Sequence, residues 1–169
     1  RENQKRFEQW ADKIIYQSVT SPQSADAWEN ERHQRNSILN AVKNADPDAL
    51  IIISDVDEIL RARAVDYMRE SNQMVYALRM PIYNFKFNYM KLDPDRYGVW
   101  AMAARRGVFD NLTPDQLRNM RFSFAGMPYK HQQQGAEVVE HGGWHFGYMG
   151  DTEYLLDKAR DRKSTRLNS

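Results

Sequence analysis

The chain has 169 residues, 41% of them hydrophobic and 12% aromatic, which is enough to build a core and argues against extensive disorder. Its 24 basic and 23 acidic residues give a net charge of +1, so we expect no nucleic-acid partner. No apolar run approaches the roughly 18 residues of a membrane segment, and the absence of cysteine leaves only oxygen and imidazole as metal ligands.

The first third of the chain predicts a strand, a helix and a second strand. Residues 13–19 are apolar enough for a strand, and a polar loop follows them. Residues 27–45 predict a helix, because Asp26 can cap its start and apolar residues recur at helical spacing at Trp28, Ile38, Leu39 and Val42. Residues 49–54 form a continuous apolar run, which is typical of a central parallel strand buried on both faces.

The later elements predict a fold of the α/β or α+β class. Thr113, Pro114 and Gln116 match the start of a capping box, which predicts a helix from residue 113. Further helices are predicted at residues 61–71 and 152–160, and strands or hairpins at residues 73–80, 81–92, 97–107 and 141–151. Strict alternation predicts one face of a strand for the aromatic residues Tyr83, Phe85, Phe87 and Tyr89. We expect a mostly parallel sheet flanked by helices.

Two aspartates directly follow the apolar run. Ligands of α/β sheets bind beyond the carboxyl ends of the strands, which is where Asp55 lies. In an extended segment Asp55 and Asp57 point to the same side, while Val56 turns back into apolar packing. Two such carboxylates repel each other unless a proton or cation intervenes, so the pair predicts a divalent-cation site completed by phosphate oxygens. The alternative is a solvated acidic turn in which Asp57 or Glu58 caps the next helix.

Three short blocks carry a resemblance to a known family. The segment SDVDEI at residues 54–59 resembles the D-x-D-E-I-P signature of family 17 glycosyltransferases. WENERHQRN at residues 28–36 is similar to that family's Trp-x-x-Glu-x-x-Gln-Arg segment, and GGWHFGYMG at residues 142–150 is similar to its Gly-Trp-His-Phe-Ser-Tyr-x-Gly block. The resemblance spans residues 7–160. Leu60 stands where the family has Pro, and Gly147 stands where Ser is usual.

The resemblance implies a nucleotide-sugar transferase fold of the GT-A type, with a mixed, mostly parallel sheet that is incomplete at both ends. It implies metal-dependent, inverting transfer of a sugar, N-acetylglucosamine in the best-known members, from a UDP-sugar donor to a glycan acceptor. Inverting transfer needs a carboxylate base for the acceptor hydroxyl. The catalytic residue is unassigned, because six acids remain candidates: Glu58, Asp93, Asp95, Asp110, Glu137 and Glu140.

The resemblance also implies roles for individual residues. Asp55 and Asp57 are the expected metal ligands, and His145 is a further one, although a core position between two aromatic residues is an alternative for this histidine. Imidazole on a cation otherwise held by oxygens favours Mn²⁺ over Mg²⁺. Substrate contacts are expected from two arginines that suit phosphate, a glycine that permits close approach, and their neighbours: Arg32, Gln34, Arg35, Glu58, Gly143 and Trp144. The alternatives are a solvated basic face for the arginines, an ordinary tight turn for the glycine and a core position for the tryptophan.

Two other functions compete with this interpretation. Phosphatases of the haloacid-dehalogenase type also place Asp-x-Asp after an apolar strand. They require Thr or Val where this chain has Ile59, and an acid pair after a downstream lysine that Lys158 lacks. The third possibility is a catalytically inactive α/β fragment that retains a metal site.

The two ends of the chain predict an incomplete domain. The sequence starts without Met, so we expect it to begin inside a longer protein. Residues 161–169 are, in order, the translation of a common sequencing-adapter read, which predicts a partial glycosyltransferase domain at residues 1–160 and an artificial tail. A bacterial or viral parent predicts the cytoplasm, and a eukaryotic parent with an N-terminal anchor predicts a membrane of the secretory pathway.

Overall fold

The computed structural model describes residues 4–20, 22–92, 96–124 and 136–167. The helices are α1 (Gln4–Phe7), α2 (Ala27–Asn36), α3 (Ile38–Val42), α4 (Ala62–Glu70), α5 (Pro114–Asn119) and α6 (Thr152–Leu167). Short 3-10 helices occupy Glu8–Lys13, Arg106–Asp110 and Met120–Phe124. The strands are β1 (Leu50–Ile53), β2 (Glu58–Leu60), β3 (Val75–Asn84), β4 (Tyr97–Arg105), β5 (Ala136–Val139) and β6 (Gly143–Gly147).

The sheet is mixed, and β3 organises it. The strand order is β1-β4-β3-β6-β2, and β5 also pairs with β3. The ten-residue β3 pairs in parallel with β5 through its first half and with β6 at Ile82–Asn84, so one strand joins two parts of a curled sheet. Of the five strand pairings among the described residues, three are antiparallel: β1 with β4, β2 with β6, and β3 with β4.

The prediction of a mostly parallel sheet is therefore not confirmed, whereas the prediction of the α/β class is confirmed. The run at β1 is not a central parallel strand, because in the described part of the chain it pairs with β4 alone and antiparallel. Ile53 is buried, while Ile51 and Ile52 are half-buried. A local apolar run indicates burial but not the direction of the partner strand. Here the partner strand is β4, which lies about 50 residues later in the chain.

Two hydrophobic clusters stabilise the sheet on its opposite sides. One contains Ile53, Val75, Met102, Leu117 and other buried residues, and brings α5 against β1 and β4. The second contains Met68, Tyr76, Leu78 and Met80, and brings α4 against β3. Helix α5 begins with the predicted capping box, in which the Thr113 side chain accepts from the Gln116 N–H and the Gln116 side chain accepts from the Thr113 N–H.

The N-terminal predictions need two corrections. Residues 14–19 form no strand, and Ile15 and Tyr16 are exposed, since no strand of the described ranges pairs with them. The predicted helix over residues 27–45 is two helices, α2 and α3, that meet at Ser37. The Ser37 hydroxyl donates to the carbonyl of Gln34 at 2.6 Å, a local contact of the kind that bends helices. Asp26 caps α2 as predicted, accepting from the Trp28 N–H at 2.9 Å.

The alternating aromatic residues do not share a strand. β3 ends at Asn84, and the chain turns back so that Tyr83 bridges Met90. Phe85 has a φ of 70°, in the left-handed region, which breaks the alternation on which the strand prediction depended. The hairpin tip exposes Phe87 and its aromatic neighbours to solvent.

Candidate active site

The acidic segment is a tight turn rather than an extended strand end. The Glu58 N–H donates to the carbonyl of Asp55 at 3.0 Å, so the chain reverses over Val56 and Asp57 and enters β2. Val56 is 98% exposed, and the expectation that it turns back into apolar packing is wrong. The directions of the carboxylates are therefore set by this turn and not by the alternation of side chains along an extended strand.

A buried arginine holds two of the three acids. Arg118 of α5 is fully buried and donates through both terminal nitrogens to the carboxylate of Glu58, one of these bonds measuring 3.1 Å. It also donates to Asp55 Oδ2 at 2.6 Å and to the carbonyl of Trp100. The Glu58 carboxylate accepts the Asp55 N–H at 2.9 Å as well. Burial raises the pKa of Glu58, and the hydrogen bonds from Arg118 oppose that rise.

His145 lies beside the third acid. β6 pairs with β2 so that His145 stands opposite Glu58, and the Phe146 N–H donates to the carbonyl of Asp57 at 2.8 Å. His145 Nδ1 is 3.9 Å from Asp57 Oδ1, too far for a hydrogen bond. The imidazole stacks on the ring of Trp100, with centroids 3.8 Å apart and planes 2° from parallel. Burial lowers the pKa of His145, partly offset by Asp57.

This arrangement fits a divalent cation. Potential ligand atoms of Asp57, Glu58 and His145 lie within 4.8 Å of one another. His145 Nδ1 is buried and has no hydrogen-bond partner in the described ranges, and a bond to a metal ion would satisfy it. Arg118 binds both oxygens of Glu58, which leaves Asp57 and His145 as the unengaged members of this trio. Asp55 is outside the trio and Arg118 binds its Oδ2, but its side chain is half-exposed and no described residue donates to its Oδ1. Imidazole with carboxylates is a donor set that Mn²⁺ accepts.

The predicted substrate-binding residues of α2 lie at two different cavities. Arg35 binds Asp115 of α5 at 2.6 Å and also Glu31, while the exposed Arg32 lies 3.9 Å from Asp115. Both arginines line a cavity of about 300 Å³. Gln34 lines a different cavity, of about 980 Å³, between α2 and residues 14–19. The structure therefore brings Arg32 and Arg35 together and places Gln34 apart from them.

The glycine and tryptophan of β6 make contacts within the fold. A Cβ built on Gly143 would lie 2.1 Å from the carbonyl oxygen of Ile59, so this position is closed to any side chain. Trp144 pairs with Ile59 across the strands, and the guanidinium of Arg61 lies 4.6 Å from the centre of its ring. Their roles in substrate binding stay predictions. Leu60, which replaces the expected Pro, packs against the cluster of Ala64 and Met68.

A comparison with models of known protein families matches residues 1–106 to Glycosyltransferase family 17. The chain belongs to glycosyltransferase family 17. As a family member it is a transferase, with a sugar donor and an acceptor as partners, and the phosphatase alternative finds no support. The matched range includes the acidic turn and α2, and it ends before α5 and β6. No curated protein and no solved structure matched the chain. None of the helices in the described ranges has the length and apolar character to cross a bilayer.

Four of the candidate bases in this family 17 chain are described, and three of them are engaged elsewhere. Asp110 pairs with Arg106, Glu140 pairs with Arg79, and Glu137 accepts from the hydroxyl of Tyr67. Glu58 is bound by the buried guanidinium. Asp93 and Asp95 lie outside the described residues, so the base of the transferase stays unassigned.

Sequence reasoning missed Arg118, Trp100 and Arg121. Arg118 sits 60 residues after Glu58, on a helix whose local pattern gives no reason to single out one basic residue. Trp100 lies in an apolar strand, where a core role is the ordinary expectation. Arg118 could have been found only by pairing distant residues. A buried Glu58 requires a cationic partner, and the capped helix α5 carries one 60 residues later.

Proposed function

We propose that this chain carries the donor and metal site of an inverting transferase that moves N-acetylglucosamine from its UDP-sugar to a glycan acceptor. The observation that supports this most is the buried, unpartnered Nδ1 of His145 facing Asp57 across 3.9 Å. Around it, the Arg118 guanidinium holds Glu58 and Asp55 in one orientation. Such a site is prepared for a cation before the ligand arrives, which reduces the cost of binding.

The side chains have separate tasks in the proposed reaction. Asp57 and His145 hold the cation, with the free oxygen of Asp55 available as a further ligand. The lowered pKa of His145 keeps the imidazole neutral near pH 7, so its ring nitrogen retains a lone pair for the metal. A bound cation supplies stabilisation of negative charge on the departing diphosphate. Glu58 and Arg118 position the turn rather than react.

The transfer itself is one displacement. The acceptor hydroxyl oxygen forms a bond to the anomeric carbon, and the bond from that carbon to the diphosphate oxygen breaks with its electron pair leaving on the diphosphate. A carboxylate base takes the hydroxyl proton. Because the attack and the departure occur on opposite faces, the configuration at the anomeric carbon inverts. We expect Mn²⁺ to serve better than Mg²⁺, since the donor set includes an imidazole.

Calorimetric titration tests the proposal. Mn²⁺, Mg²⁺, UDP and UDP-N-acetylglucosamine are titrated into the wild-type chain and into Asp57→Asn, His145→Ala and Asp55→Asn variants. We expect UDP binding that depends on Mn²⁺, and at least a tenfold loss of Mn²⁺ affinity in the Asp57 and His145 variants, because altering even a supporting residue of a metal site costs about 10–100-fold. Asp66→Asn and His33→Ala are matched controls, since both residues are exposed on other helices.

Two results separate the alternatives. Mn²⁺ binding without any heat from either UDP ligand supports the inactive metal-binding fragment and rejects the transferase. Equal Mn²⁺ affinity in wild type and in both the Asp57 and His145 variants shows that the cation site is elsewhere.

A further inference from the structure

A cavity beside the acidic turn combines aromatic and basic side chains. It lies between α2, α5 and the 3-10 helix Met120–Phe124, and its volume is about 300 Å³, at the lower end of the ~300–1,000 Å³ typical of small-molecule sites. Its walls include three arginines, two carboxylates and two large aromatic rings. Such a composition suits a ligand that is both planar and anionic.

Two of the three arginines have charge to offer a ligand. Arg35 is neutralised by Asp115 and Glu31. Arg32 is 56% exposed and lies at the limit of an ion pair with Asp115. Arg121 has a terminal nitrogen that is buried and makes no hydrogen bond in the described part of the chain.

The surroundings of Arg121 contain rings and another cation. Its guanidinium lies 4.8 Å from the centre of the Phe122 ring and 5.7 Å from that of Trp100. Burial and the neighbouring Arg118 lower the pKa of Arg121, against the opposing effect of Glu58 and Asp55. An anion in the cavity, which Arg121 lines, would place negative charge beside this guanidinium.

The aromatic walls are available for stacking. Trp28 is 70% exposed and Phe122 is 65% exposed, although both are large apolar side chains that burial would stabilise. Both line the same cavity. A nucleobase presents a flat face that stacks on such rings, and the exposed Trp28 is the better placed of the two, because the Arg121 guanidinium already lies over the Phe122 ring.

Two chains of side-chain contacts connect the cavity to the candidate metal site. Trp100 contacts the Arg121 guanidinium and stacks on His145. Helix α5 makes a second link, because its Asp115 binds Arg35 while Arg118, one turn later, binds Asp55. A ligand whose phosphates reach from the cation to Arg121 would therefore have its base near the cavity.

We propose that this cavity binds the nucleoside diphosphate portion of the donor, with Arg121 contacting the diphosphate and Trp28 stacking on the base. The proposal rests on the function proposed above and adds the place and the residues of nucleotide recognition. Arg32 adds positive charge at the rim of the cavity. Arg35 orients α2 against α5 and does not contact the ligand, because its donors are already used by carboxylates.

Titration of UDP and UMP into variants of the full chain, with Mn²⁺ and separately with EDTA, tests the assignment. Arg121→Met is expected to weaken UDP binding at least tenfold and UMP binding less, because UMP lacks the second phosphate. Trp28→Ala is expected to weaken both by the same factor, roughly tenfold, because it acts on the base. Arg121→Lys, which keeps the charge but loses the planar fork, should restore part of the affinity.

Arg69→Met and Trp10→Ala change an exposed arginine and a partly exposed tryptophan outside the cavity, and should bind UDP as wild type does. The affinity for Mn²⁺ alone should be unchanged in all cavity variants. Wild-type UDP affinity in Arg121→Met and Trp28→Ala, together with lost affinity in Asp57→Asn, overturns the cavity assignment and leaves the proposed function standing. Absence of UDP binding to the wild-type chain rejects the proposed function itself.

Discussion

At the scale of single residues, Arg118 does most to shape the acidic turn. Its guanidinium is fully buried and contacts two carboxylates and a carbonyl oxygen, so it compensates the burial of Glu58 and fixes Asp55. Removing one partner of such an arrangement leaves the other charge buried and unpaired. Replacing Arg118 should therefore reduce the free energy of unfolding much more than replacing one partner of an exposed ion pair does.

We predict that Arg118→Met lowers the free energy of unfolding by about 3–5 kcal/mol at pH 7.5. Without the arginine, the pKa of Glu58, which burial already raises, rises further. The folded variant then binds more protons than the unfolded chain above the ordinary glutamate pKa of about 4.3. Its stability therefore falls as the pH rises, and the loss relative to wild type is smaller at pH 5 than at pH 7.5.

Urea unfolding at the two pH values measures this difference. Arg69→Met is the control, because Arg69 is exposed on α4. Stability within about 0.5 kcal/mol of wild type at pH 7.5, the range of ordinary surface substitutions, would show that Arg118 does not compensate a buried charge.

At the scale of secondary-structure elements, the pairing of β2 with β6 assembles the candidate metal site. It sets His145 opposite Glu58 and carries the backbone hydrogen bond between Phe146 and Asp57. Gly143 begins β6, and a Cβ at this position would lie 2.1 Å from the carbonyl oxygen of Ile59 in β2. The geometry of the ligands thus depends on a residue that has no side chain.

We predict that Gly143→Ala destabilises the chain by about 3 kcal/mol, because the new methyl group would meet a backbone carbonyl 2.1 Å away and must push the strands apart. Mn²⁺ affinity should fall with it, since His145 shifts relative to Asp57. Gly107→Ala is the control: its nearest neighbour would be 3.5 Å away, and it should be neutral or slightly stabilising. Thermal unfolding and Mn²⁺ titration measure both effects, and unchanged Mn²⁺ affinity in a destabilised Gly143→Ala would contradict the link.

Elements with strong local signals could be predicted from the sequence, and their partners could not. The capping box of α5 and the apolar run of β1 are encoded within a few neighbouring residues, so both elements were predicted correctly. The direction of the β1 partner, the turn at Val56 and the burial of Arg118 all depend on residues 50 or more positions away or on the whole packing. The false strand at residues 13–19 has the same cause, because apolar composition alone does not supply a pairing partner.

At the scale of the whole molecule, the chain that follows β3, at residues 85–92, exposes several large apolar side chains near the candidate site. Phe87 is 76% exposed and Leu92 is 82% exposed, with Phe85 and Tyr89 beside them. Phe87 also packs edge-on against Phe146, the residue after His145. Large contiguous apolar patches are uncommon on proteins that are monomeric in water, so these side chains are candidates for one.

We predict that the double variant Phe87→Ser, Leu92→Ser binds the dye ANS at least twofold less strongly than wild type and resists heat-induced aggregation better, while its melting temperature changes by only a few degrees. Both changes follow from removing exposed apolar area without opening a cavity. Val56→Ser is the control, since Val56 is an apolar residue that is 98% exposed and lies on the acidic turn rather than in this segment, and it should leave dye binding unchanged. Equal ANS fluorescence in the double variant and wild type would place the apolar surface elsewhere.

The parallel stack of Trp100 on His145 has a spectroscopic consequence. An indole in face contact with an imidazole reports on that imidazole through its emission, since a positive charge or a paramagnetic ion on the partner ring quenches the excited state. The difference in fluorescence between wild type and Trp100→Phe therefore isolates the signal from one fluorophore among the four tryptophans. Trp100 is therefore an intrinsic fluorescent probe of His145, and Mn²⁺ and Mg²⁺ should reduce its emission to different extents.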